Sequence, residues 1–318
     1  MSKTRVGIIG TGLIASLHSP AIANIEETEL IAVLSRDENK GKDFLADHGS
    51  KDGAVYTKLE EFANDENINL IIVCSPDGIH AEQAAACLRA GKHVLIEKPM
   101  TLNEQDAIEL VELAESNNLV LATGFHLRYH SGHRALYDEI VNRNTIGNIR
   151  HIRAIWAFPF QNDSNWRADS SYTKWWSLSA VGAHCIDLAR WFSNDTNDWK
   201  SFSSTLANNL WNGDHDETAV IAAQTQSGPT VEVVSSVQFG PYNQLEIFGD
   251  KGSAICESTM GREGKGEIIL NGEKLDFQPI SPFMNQLSEI VKSIQNNSEP
   301  IASGRTGLRN VKDLLLAL

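Results

Sequence analysis

The first 123 residues alternate short apolar runs with amphipathic segments of helical period. The predicted strands are Val6–Ile9, Leu30–Leu34, Leu70–Cys74, His93–Ile96 and Leu119–Thr123. The predicted helices are Leu13–Ile25, Asn39–His48, Ala81–Ala90 and Glu104–Ser116. Because the strands lack polar alternation, we expect a parallel sheet covered by helices on both faces, which is a doubly wound α/β domain.

The rest of the chain has a different pattern, in which strands follow one another with few helices between them. Helices are predicted over Ser131–Asn142 and Ala180–Phe192, and strands over Ile149–Phe158, Thr218–Thr225, Thr230–Val237, Leu245–Phe248 and Ala254–Cys256. The turn Gln226–Pro229 predicts a hairpin between two of these strands. All seven tryptophans lie in the central part of the chain. We therefore predict two domains, residues 1–123 and 124–318, the second being α+β with a mainly antiparallel open sheet.

Two helix starts carry capping signals. Thr101 and Glu104 fit the capping-box pattern before the helix Glu104–Ser116. Asp37 precedes the predicted helix Asn39–His48 and is placed to cap it.

Charge and composition exclude several classes of partner. The chain has 27 Lys and Arg against 41 Asp and Glu, a net charge of −14, so nucleic acid and anionic membranes are poor partners. No apolar run approaches the length of a membrane span, and the N-terminus shows no secretory signal. The four cysteines are widely spaced, which favours free thiols in a reducing compartment. We expect a cytoplasmic protein whose open sheet forms a homodimer or homotetramer.

A glycine-rich motif follows the first predicted strand. Residues 10–15 read G-x-G-x-x-A and open a predicted helix, the context in which this motif binds a dinucleotide. Gly10 permits the tight turn, and Gly12 lets the backbone approach a pyrophosphate at the helix N-terminus. We expect Thr11, Leu13 and Ile14 to complete this cofactor-binding loop.

The end of the second strand indicates which cofactor is preferred. An NAD site would carry a carboxylate there for the ribose 2′-hydroxyl, but this chain has Ser35 and Arg36. A hydroxyl and a guanidinium suit a 2′-phosphate, and Asp37 is better explained as the helix cap. The sequence therefore predicts NADP as the cofactor, with NAD as the alternative.

A lysine stands where a parallel strand ends. Glu97, Lys98 and Pro99 follow the strand His93–Ile96, and open α/β sheets bind ligands at the carboxyl ends of their strands. Pro99 fixes the turn and could aim Lys98 at the nicotinamide. The alternative is that Lys98 is an ordinary surface lysine in a strand-to-helix loop.

These motifs together resemble the Gfo/Idh/MocA oxidoreductase family. The resemblance rests on GIIGTGLIA at residues 7–15 and SPDGIHAEQAAACLRAGKHVLIEKP at residues 75–99, and it extends over nearly the whole chain. It implies an N-terminal Rossmann domain and a C-terminal domain whose open sheet carries the oligomer contact. It also implies that Ser75, Pro76 and His80 lie beside the cofactor, and that Glu97 and Lys98 separate cofactor from substrate.

A second family motif is only partly kept. Its usual form is D-x-G-x-H-x-x-D, and this chain has His184 and Asp187 but Ala180 in place of the first Asp. The resemblance implies that His184 works with Lys98, whereas Ala180 puts the usual polyol chemistry in doubt. Asp187 lies three residues after His184, so it could orient the imidazole or instead pair with another group.

Two further segments match the family more loosely. Residues 124–129 resemble a segment that usually reads N-Y-R-F, which implies a cofactor contact for His126 and a substrate contact for Arg128. Trp166 and Arg167 resemble a WR pair near the nicotinamide or substrate. The alternatives are a domain-crossing strand and a buried aromatic residue beside a surface arginine.

Three histidines were considered as metal ligands. His126, His130 and His133 could share one helical face, but no carboxylate or cysteine lies close to them in the sequence. We therefore predict no metal site.

The predicted activity is hydride transfer between nicotinamide C4 and a hydroxyl or carbonyl carbon of a sugar, polyol or related cyclic compound. Lys98 is the candidate acid/base, because a nearby positive nicotinamide and partial desolvation should lower its pKa. His184 would bind the same substrate oxygen or relay the proton. One rival is an enzyme acting on a non-sugar such as a semialdehyde or dihydrodiol, and the other is a non-catalytic NADP-binding regulator.

Overall fold

A computed structural model describes residues 3–48, 52–160, 166–208, 210–211 and 213–318. The chain forms two compact units, each built from more than one segment. The first unit comprises residues 1–124 and 283–311, and the second comprises residues 125–282 and 312–318. Within the described residues, no helix is both long and apolar enough to cross a bilayer.

The first unit contains a six-stranded parallel sheet with helices between the strands. Its strands are β1 (Thr4–Ile9), β2 (Thr28–Leu34), β3 (Ala54–Tyr56), β4 (Leu70–Val73), β5 (His93–Ile96) and β6 (Leu121–Thr123). Its helices up to residue 124 are α1 (Leu13–Asn24), α2 (Glu38–His48), α3 (Leu59–Ala63), α4 (His80–Arg89) and α5 (Glu104–Ser116). The strand order β3-β2-β1-β4-β5-β6 reverses direction at β1, so the predicted doubly wound fold is confirmed.

The core of this unit explains why its strands lack polar alternation. Val6, Ile8, Leu70, Ile72 and Leu95 are fully buried beneath the helices. Such residues contribute about 1.5–3 kcal/mol each when transferred from water to the interior. The sequence analysis did not predict β3 or α3, because both are short and β3 is only partly buried.

The last two helices of the chain are α8 (Pro282–Asn296) and α9 (Gly304–Leu315). The predicted boundary assigns both helices to the second domain. In the structure, four side chains of α8 pack in the core of the first unit: Phe283, Leu287, Ile290 and Val291. These side chains recur at three- and four-residue spacing, so α8 presents one apolar stripe to that core. The boundary at residue 124 therefore leaves out a returning segment.

The helix caps differ from the prediction at one of two places. Asp37 Oδ1 accepts from the backbone N–H groups of Asn39 and Lys40 at 2.9 and 3.2 Å, and so caps α2 as predicted. At α5 the cap is Asn103, whose Oδ1 accepts from Asp106 N at 2.8 Å, whereas Thr101 donates to the Asn103 carbonyl. The capping-box prediction was wrong, because Asn103 caps the helix in place of Thr101. Asparagine is at least as good a cap as threonine.

The second unit contains an eight-stranded sheet with helices on one side. Its helices are α6 (Ser131–Tyr137) and α7 (Ala183–Ser193), extended by π-helical turns over Asp138–Asn142 and Leu178–Gly182. Its strands are β7 (Ile149–Ala157), β8 (Ser201–Ala207), β9 (Thr218–Gln224), β10 (Thr230–Ser236), β11 (Tyr242–Gly249), β12 (Ser253–Glu257), β13 (Glu267–Leu270) and β14 (Glu273–Lys274).

The order of this sheet is β14-β13-β12-β11-β7-β10-β9-β8, and β7 with β10 is its one parallel pair among the described strands. The hairpin between β9 and β10 pairs Gln224 with Thr230, and Gly228 supplies the positive φ of its turn. The mainly antiparallel α+β prediction is thus confirmed.

Candidate active site

The glycine loop joins β1 to α1 with the geometry that its sequence predicts. Gly10 has a φ of +97°, and a Cβ there would lie 3.0 Å from the Cys74 carbonyl oxygen. Gly12 caps α1, and a Cβ there would meet nothing within 4 Å. Ala15 is fully buried, which lets the helix approach the sheet closely. The loop therefore leaves open space at Gly12, directly before the helix N-terminus.

This open space fits a dinucleotide pyrophosphate. The first amides of a helix have no partner within it and attract anions, and α1 carries no acidic residue in its first turn. Thr11 and Ile14 are partly exposed and Leu13 is exposed beside the open space. We expect these residues to hold the pyrophosphate of the cofactor.

Ser35 and Arg36 follow β2 at the same edge of the sheet. Ser35 is buried and its Oγ accepts from Asp37 N at 3.3 Å, whereas Arg36 is exposed. Asp37 Oδ1 is engaged in capping α2, as the sequence predicts. Arg36 presents an exposed guanidinium at this edge.

Ser75, Pro76 and His80 lie after β4. His80 is buried, with Nε2 2.8 Å from the Ser75 carbonyl oxygen and Nδ1 2.9 Å from the Pro99 carbonyl oxygen. The Ser75 hydroxyl donates to Gln83 Oε1 at 2.5 Å. The imidazole of His80 thus lies between the loop after β4 and the segment after β5, and it donates to one of the two carbonyls when neutral and to both when protonated.

Glu97, Lys98 and Pro99 follow β5, and the Lys98–Pro99 peptide is cis. All three residues are buried within the chain, and Lys98 is 7% exposed. Glu97 Oε1 accepts from His18 Nε2 at 2.9 Å, and Glu97 Oε2 accepts from Lys98 N at 3.3 Å. Lys98 is therefore part of an ordered segment at the carboxyl edge of the sheet, not a solvated surface residue.

The second unit carries the other predicted chemistry. His184 lies in the first turn of α7 and is buried, with the His126 ring centroid 4.7 Å from its own. The rings of Phe125 and Trp156 pack at 6.0 and 5.6 Å from it. His126 belongs to a 3-10 turn, His126–Tyr129, that begins this unit. The motif histidine is thus enclosed by aromatic side chains.

Arg128 and Asp187 form a buried ion pair. Arg128 Nε donates to Asp187 Oδ2 at 2.8 Å, and Arg128 Nη2 donates to Asp187 Oδ1 at 2.7 Å. Burial raises the pKa of Asp187, and the adjacent guanidinium opposes that rise. Because both oxygens of Asp187 are engaged by Arg128, the structure favours the pairing alternative over orientation of His184.

The aromatic residues of this unit differ in their exposure to solvent. Trp175 and Trp176 are buried in its core, whereas Trp166 and Arg167 are partly exposed. The guanidinium carbon of Arg167 lies 4.1 Å from the Trp166 ring centroid, close enough for a cation–π contact. Trp166 and Arg167 are therefore the members of this set that remain available at the surface.

Two of the three candidate metal-ligating histidines, His130 and His133, make hydrogen bonds within the protein. His133 Nδ1 donates to the Leu127 carbonyl at 3.0 Å, and its Nε2 accepts from Thr259 Oγ1 at 2.8 Å. His130 Nε2 donates to the Lys265 carbonyl at 3.1 Å. Among the described residues, no group of three His, Cys, Asp or Glu side chains has the arrangement of a metal site.

Two family profiles match the chain over most of its length. The profile described as "Oxidoreductase family, NAD-binding Rossmann fold" matches residues 4–125, and "GFO/IDH/MocA C-terminal domain" matches residues 135–255. The chain belongs to the Gfo/Idh/MocA family of oxidoreductases. Its first unit is the NAD-binding Rossmann domain of that family, so the protein is an oxidoreductase that uses a nicotinamide dinucleotide.

Several known proteins resemble the chain over most of its length. It is 25% identical to 1,5-anhydro-D-fructose reductase of Ensifer adhaerens, covering 96% of this chain and 92% of that protein. It is 28% identical to trans-1,2-dihydrobenzene-1,2-diol dehydrogenase of Xenopus laevis, covering 86% and 81%. The crystal structure of aldose-aldose oxidoreductase from Caulobacter crescentus has a TM-score of 0.91 at 20% identity, covering 99% and 96%.

One residue of this family member was missed by the sequence analysis. His18 lies on the face of α1 that contains the buried residues Ala15 and Ile22, and its side chain is itself fully buried. One feature of the sequence could have revealed it. His18 is a polar residue three residues after Ala15 and four before Ile22, so it shares the apolar face of the helix that follows the glycine loop. Its partner, Glu97, lies 79 residues away, which no local pattern specifies.

Proposed function

We propose that this protein transfers a hydride between C4 of NADP and a hydroxyl or carbonyl carbon of a sugar, polyol or related cyclic compound. Lys98 serves as the acid/base in this reaction. The observation that carries the proposal is the position of Lys98, directly after β5 at the sheet edge where the glycine loop also lies. Open α/β sheets bind their ligands at this edge.

The proton is handled by the chain itself. In the oxidation direction, Lys98 Nζ accepts the hydroxyl proton as the carbon–oxygen double bond forms, and in reduction it returns that proton to the oxygen. The bound cofactor supplies the hydride acceptor or donor. A positioned acid/base of this kind contributes about 10²–10⁴ in rate.

His184 binds the same substrate oxygen or relays its proton in this proposal. Trp166 and Arg167 contact the substrate from the second unit, and His126 contacts the cofactor. Arg128 and Asp187 support this region through their ion pair, since each engages the other directly. We also retain Arg128 as a proposed substrate contact, as the family resemblance implies for its segment.

NADP is the preferred cofactor. The support is the combination of Ser35, the exposed Arg36 and an Asp37 committed to capping α2. A phosphate recognised by a guanidinium gains a charge-assisted hydrogen bond that NADH lacks.

A non-sugar substrate is the second candidate. Ala180 replaces the carboxylate that the family motif usually carries, which removes a polar contact for a polyol hydroxyl. The similarity to a dihydrodiol dehydrogenase over 86% of the chain gives this candidate a definite substrate class.

A substrate panel tests both candidates. Purified protein is assayed by absorbance at the reduced nicotinamide band with aldoses, inositols, other polyols and trans-dihydrodiols, each with NADP and with NAD. Turnover of sugars or polyols with NADP supports the proposal, whereas turnover of dihydrodiols alone replaces it with the second candidate. NADPH binding without any turnover would favour a regulator.

We also propose that the protein is cytoplasmic and assembles through the open face of its eight-stranded sheet. The four cysteines are free thiols. On that face, Val220, Tyr242 and Phe248 are exposed beside the ion pairs of Arg153 with Glu232 and Glu246. Light scattering checks the assembly: a dimer or tetramer that dissociates on Val220→Asp supports it, and a monomeric wild-type protein contradicts it.

A further inference from the structure

The lysine segment is held on both sides by buried histidines. His18 Nε2 lies 2.9 Å from Glu97 Oε1, and His80 Nδ1 lies 2.9 Å from the Pro99 carbonyl oxygen. The side chains of His18 and His80 are 0% and 1% exposed. Lys98 lies between the two residues that these rings contact. The arrangement fixes polar groups immediately before and immediately after the lysine.

His18 is committed to Glu97. Its ring packs edge-on against Phe283 with centroids 5.0 Å apart, and among the described residues its Nδ1 is buried without a hydrogen-bond partner. Glu97 is the polar contact that the ring makes. A histidine buried at the cost of an unpaired nitrogen needs a compensating interaction, and the hydrogen bond to a carboxylate is a strong one.

The carboxylate of Glu97 has little freedom in this arrangement. Its Oε2 accepts from Lys98 N, and the group packs on Gly124, where a Cβ would lie 2.7 Å from Oε2. The hydrogen bond from His18 holds the other oxygen. The backbone N–H of Lys98 is therefore positioned by a side chain that is itself fixed on two further sides.

His80 fixes the other end of the segment. Its Nε2 contacts the Ser75 carbonyl oxygen at 2.8 Å while Nδ1 contacts that of Pro99, so the ring joins the loops after β4 and β5. His80 is the first residue of α4, a helix that packs on β5. Movement of Pro99 relative to the sheet would break one of these contacts.

We propose that His18 and His80 are positioning residues that hold Lys98 for proton transfer. The inference rests on the proposed function of Lys98. Proton transfer needs the lysine within about 0.5 Å of its productive place, and fixing the chain on both sides of it supplies that accuracy. His18 lies on the helix that begins at the glycine loop, so the same contact ties the lysine to the cofactor-binding helix.

Variants at three histidines test the proposal. His18→Leu removes the donor to Glu97, whereas His18→Gln keeps an N–H group near the position of Nε2. His80→Leu removes both carbonyl contacts. His93→Leu is the matched control, because His93 Nδ1 accepts from Val120 N at 3.0 Å at the opposite end of β5. Urea unfolding of each variant gives its loss of stability separately.

We expect His18→Leu and His80→Leu to lower kcat about 100-fold, the effect of misplacing a catalytic group by about 1 Å, and His18→Leu to leave the Kd for NADPH little changed. His18→Gln should recover most of that loss, and His93→Leu should retain wild-type kcat. A purely structural role predicts instead that kcat follows stability in all four variants. That result, or wild-type kcat in His18→Leu or His80→Leu, would overturn the proposal.

Chemical labelling gives a readout that does not require turnover. Acetylation of Lys98 by N-hydroxysuccinimidyl acetate, followed by mass spectrometry, should be about tenfold faster in His18→Leu and His80→Leu, equivalent to about 1.4 kcal/mol. His18→Gln and His93→Leu should label at nearly the wild-type rate. Equal rates in all proteins would refute the positioning role. If the wild-type protein turns over no substrate, the proposed function fails while labelling still decides the role of the histidines.

Discussion

The two units of this protein hold their buried polar groups in different ways. In the first unit, His18 and His80 contact Glu97 and the Pro99 carbonyl, and the residue that these contacts enclose is a lysine. In the second unit, the charged side chains of Arg128 and Asp187 contact each other. The first arrangement surrounds the lysine that we propose as the acid/base, and the second joins a 3-10 turn to α7.

If the proposed function is right, the first arrangement serves the reaction and the second serves the stability of its unit. An ion pair with both carboxylate oxygens engaged is satisfied internally, so its loss should appear first as lost stability. Loss of a histidine that contacts a residue beside Lys98 should appear first as a lower rate. The following predictions test this separation.

Breaking the ion pair of the second unit should have the largest effect. Arg128→Leu leaves the Asp187 carboxylate buried without its guanidinium, and we expect a loss of about 3–5 kcal/mol in unfolding free energy by urea denaturation. The double variant Arg128→Leu with Asp187→Leu should recover much of that loss, because no charge is then left unpaired. Unchanged stability with lost substrate binding would instead assign Arg128 to the substrate.

Removing the cofactor-selecting guanidinium should have the next largest effect, on binding rather than folding. Arg36→Ala should weaken NADPH binding by about 1.5–3 kcal/mol through loss of a charge-assisted hydrogen bond. NADH binding should be nearly unchanged, since it has no 2′-phosphate. Titration calorimetry with both cofactors measures this, and equal losses would remove the case for NADP.

Two glycines of one loop separate binding from folding. Gly12→Ala adds a methyl group to open space, so stability should hold while NADPH binding weakens at least about tenfold, or about 1.4 kcal/mol. Gly10→Ala should destabilise the first unit as well, because φ is +97° and the Cys74 carbonyl is close. Full NADPH affinity in Gly12→Ala would place the pyrophosphate elsewhere.

Acid should weaken the second unit by a modest amount through His133. Burial lowers the pKa of His133 well below its ordinary value, so the unfolded chain takes up a proton first as pH falls below about 6.5. Unfolding free energy should therefore decrease from pH 7 towards pH 5. His133→Gln should show a smaller decrease over the same range. Burial raises the pKa of Asp187 and Asp216, which makes the folded state more stable as the pH falls and so opposes the effect of His133. The test is therefore to compare the slope of unfolding free energy against pH between the wild-type protein and His133→Gln.

The fold was largely predictable from periodicity. Apolar runs such as His93–Ile96 and helices such as Glu104–Ser116 have the bounds that the pattern predicts. Two kinds of element were not predicted correctly. The strand β3 has only three residues, of which one is exposed and two are partly buried, and the helix α8 packs in the core of the first unit. The apolar stripe of an amphipathic helix predicts that the helix packs on a core, but it does not identify which domain provides that core.

The candidate site was predictable where its residues are contiguous. The glycine loop and Lys98 lie at strand ends in the places that their motifs indicate. The contacts of His18 with Glu97 and of Arg128 with Asp187 span 79 and 59 residues, and Asp216 accepts from backbone groups about forty residues away. Such contacts depend on packing, which a single sequence does not specify.

The most direct test of the account is the substitution Lys98→Ala, measured in two ways on the same protein. NADPH affinity by nicotinamide fluorescence should stay near the wild-type value, and turnover of the best substrate should fall by about 10²–10⁴. Wild-type turnover in Lys98→Ala would contradict the assignment of Lys98 as the acid/base.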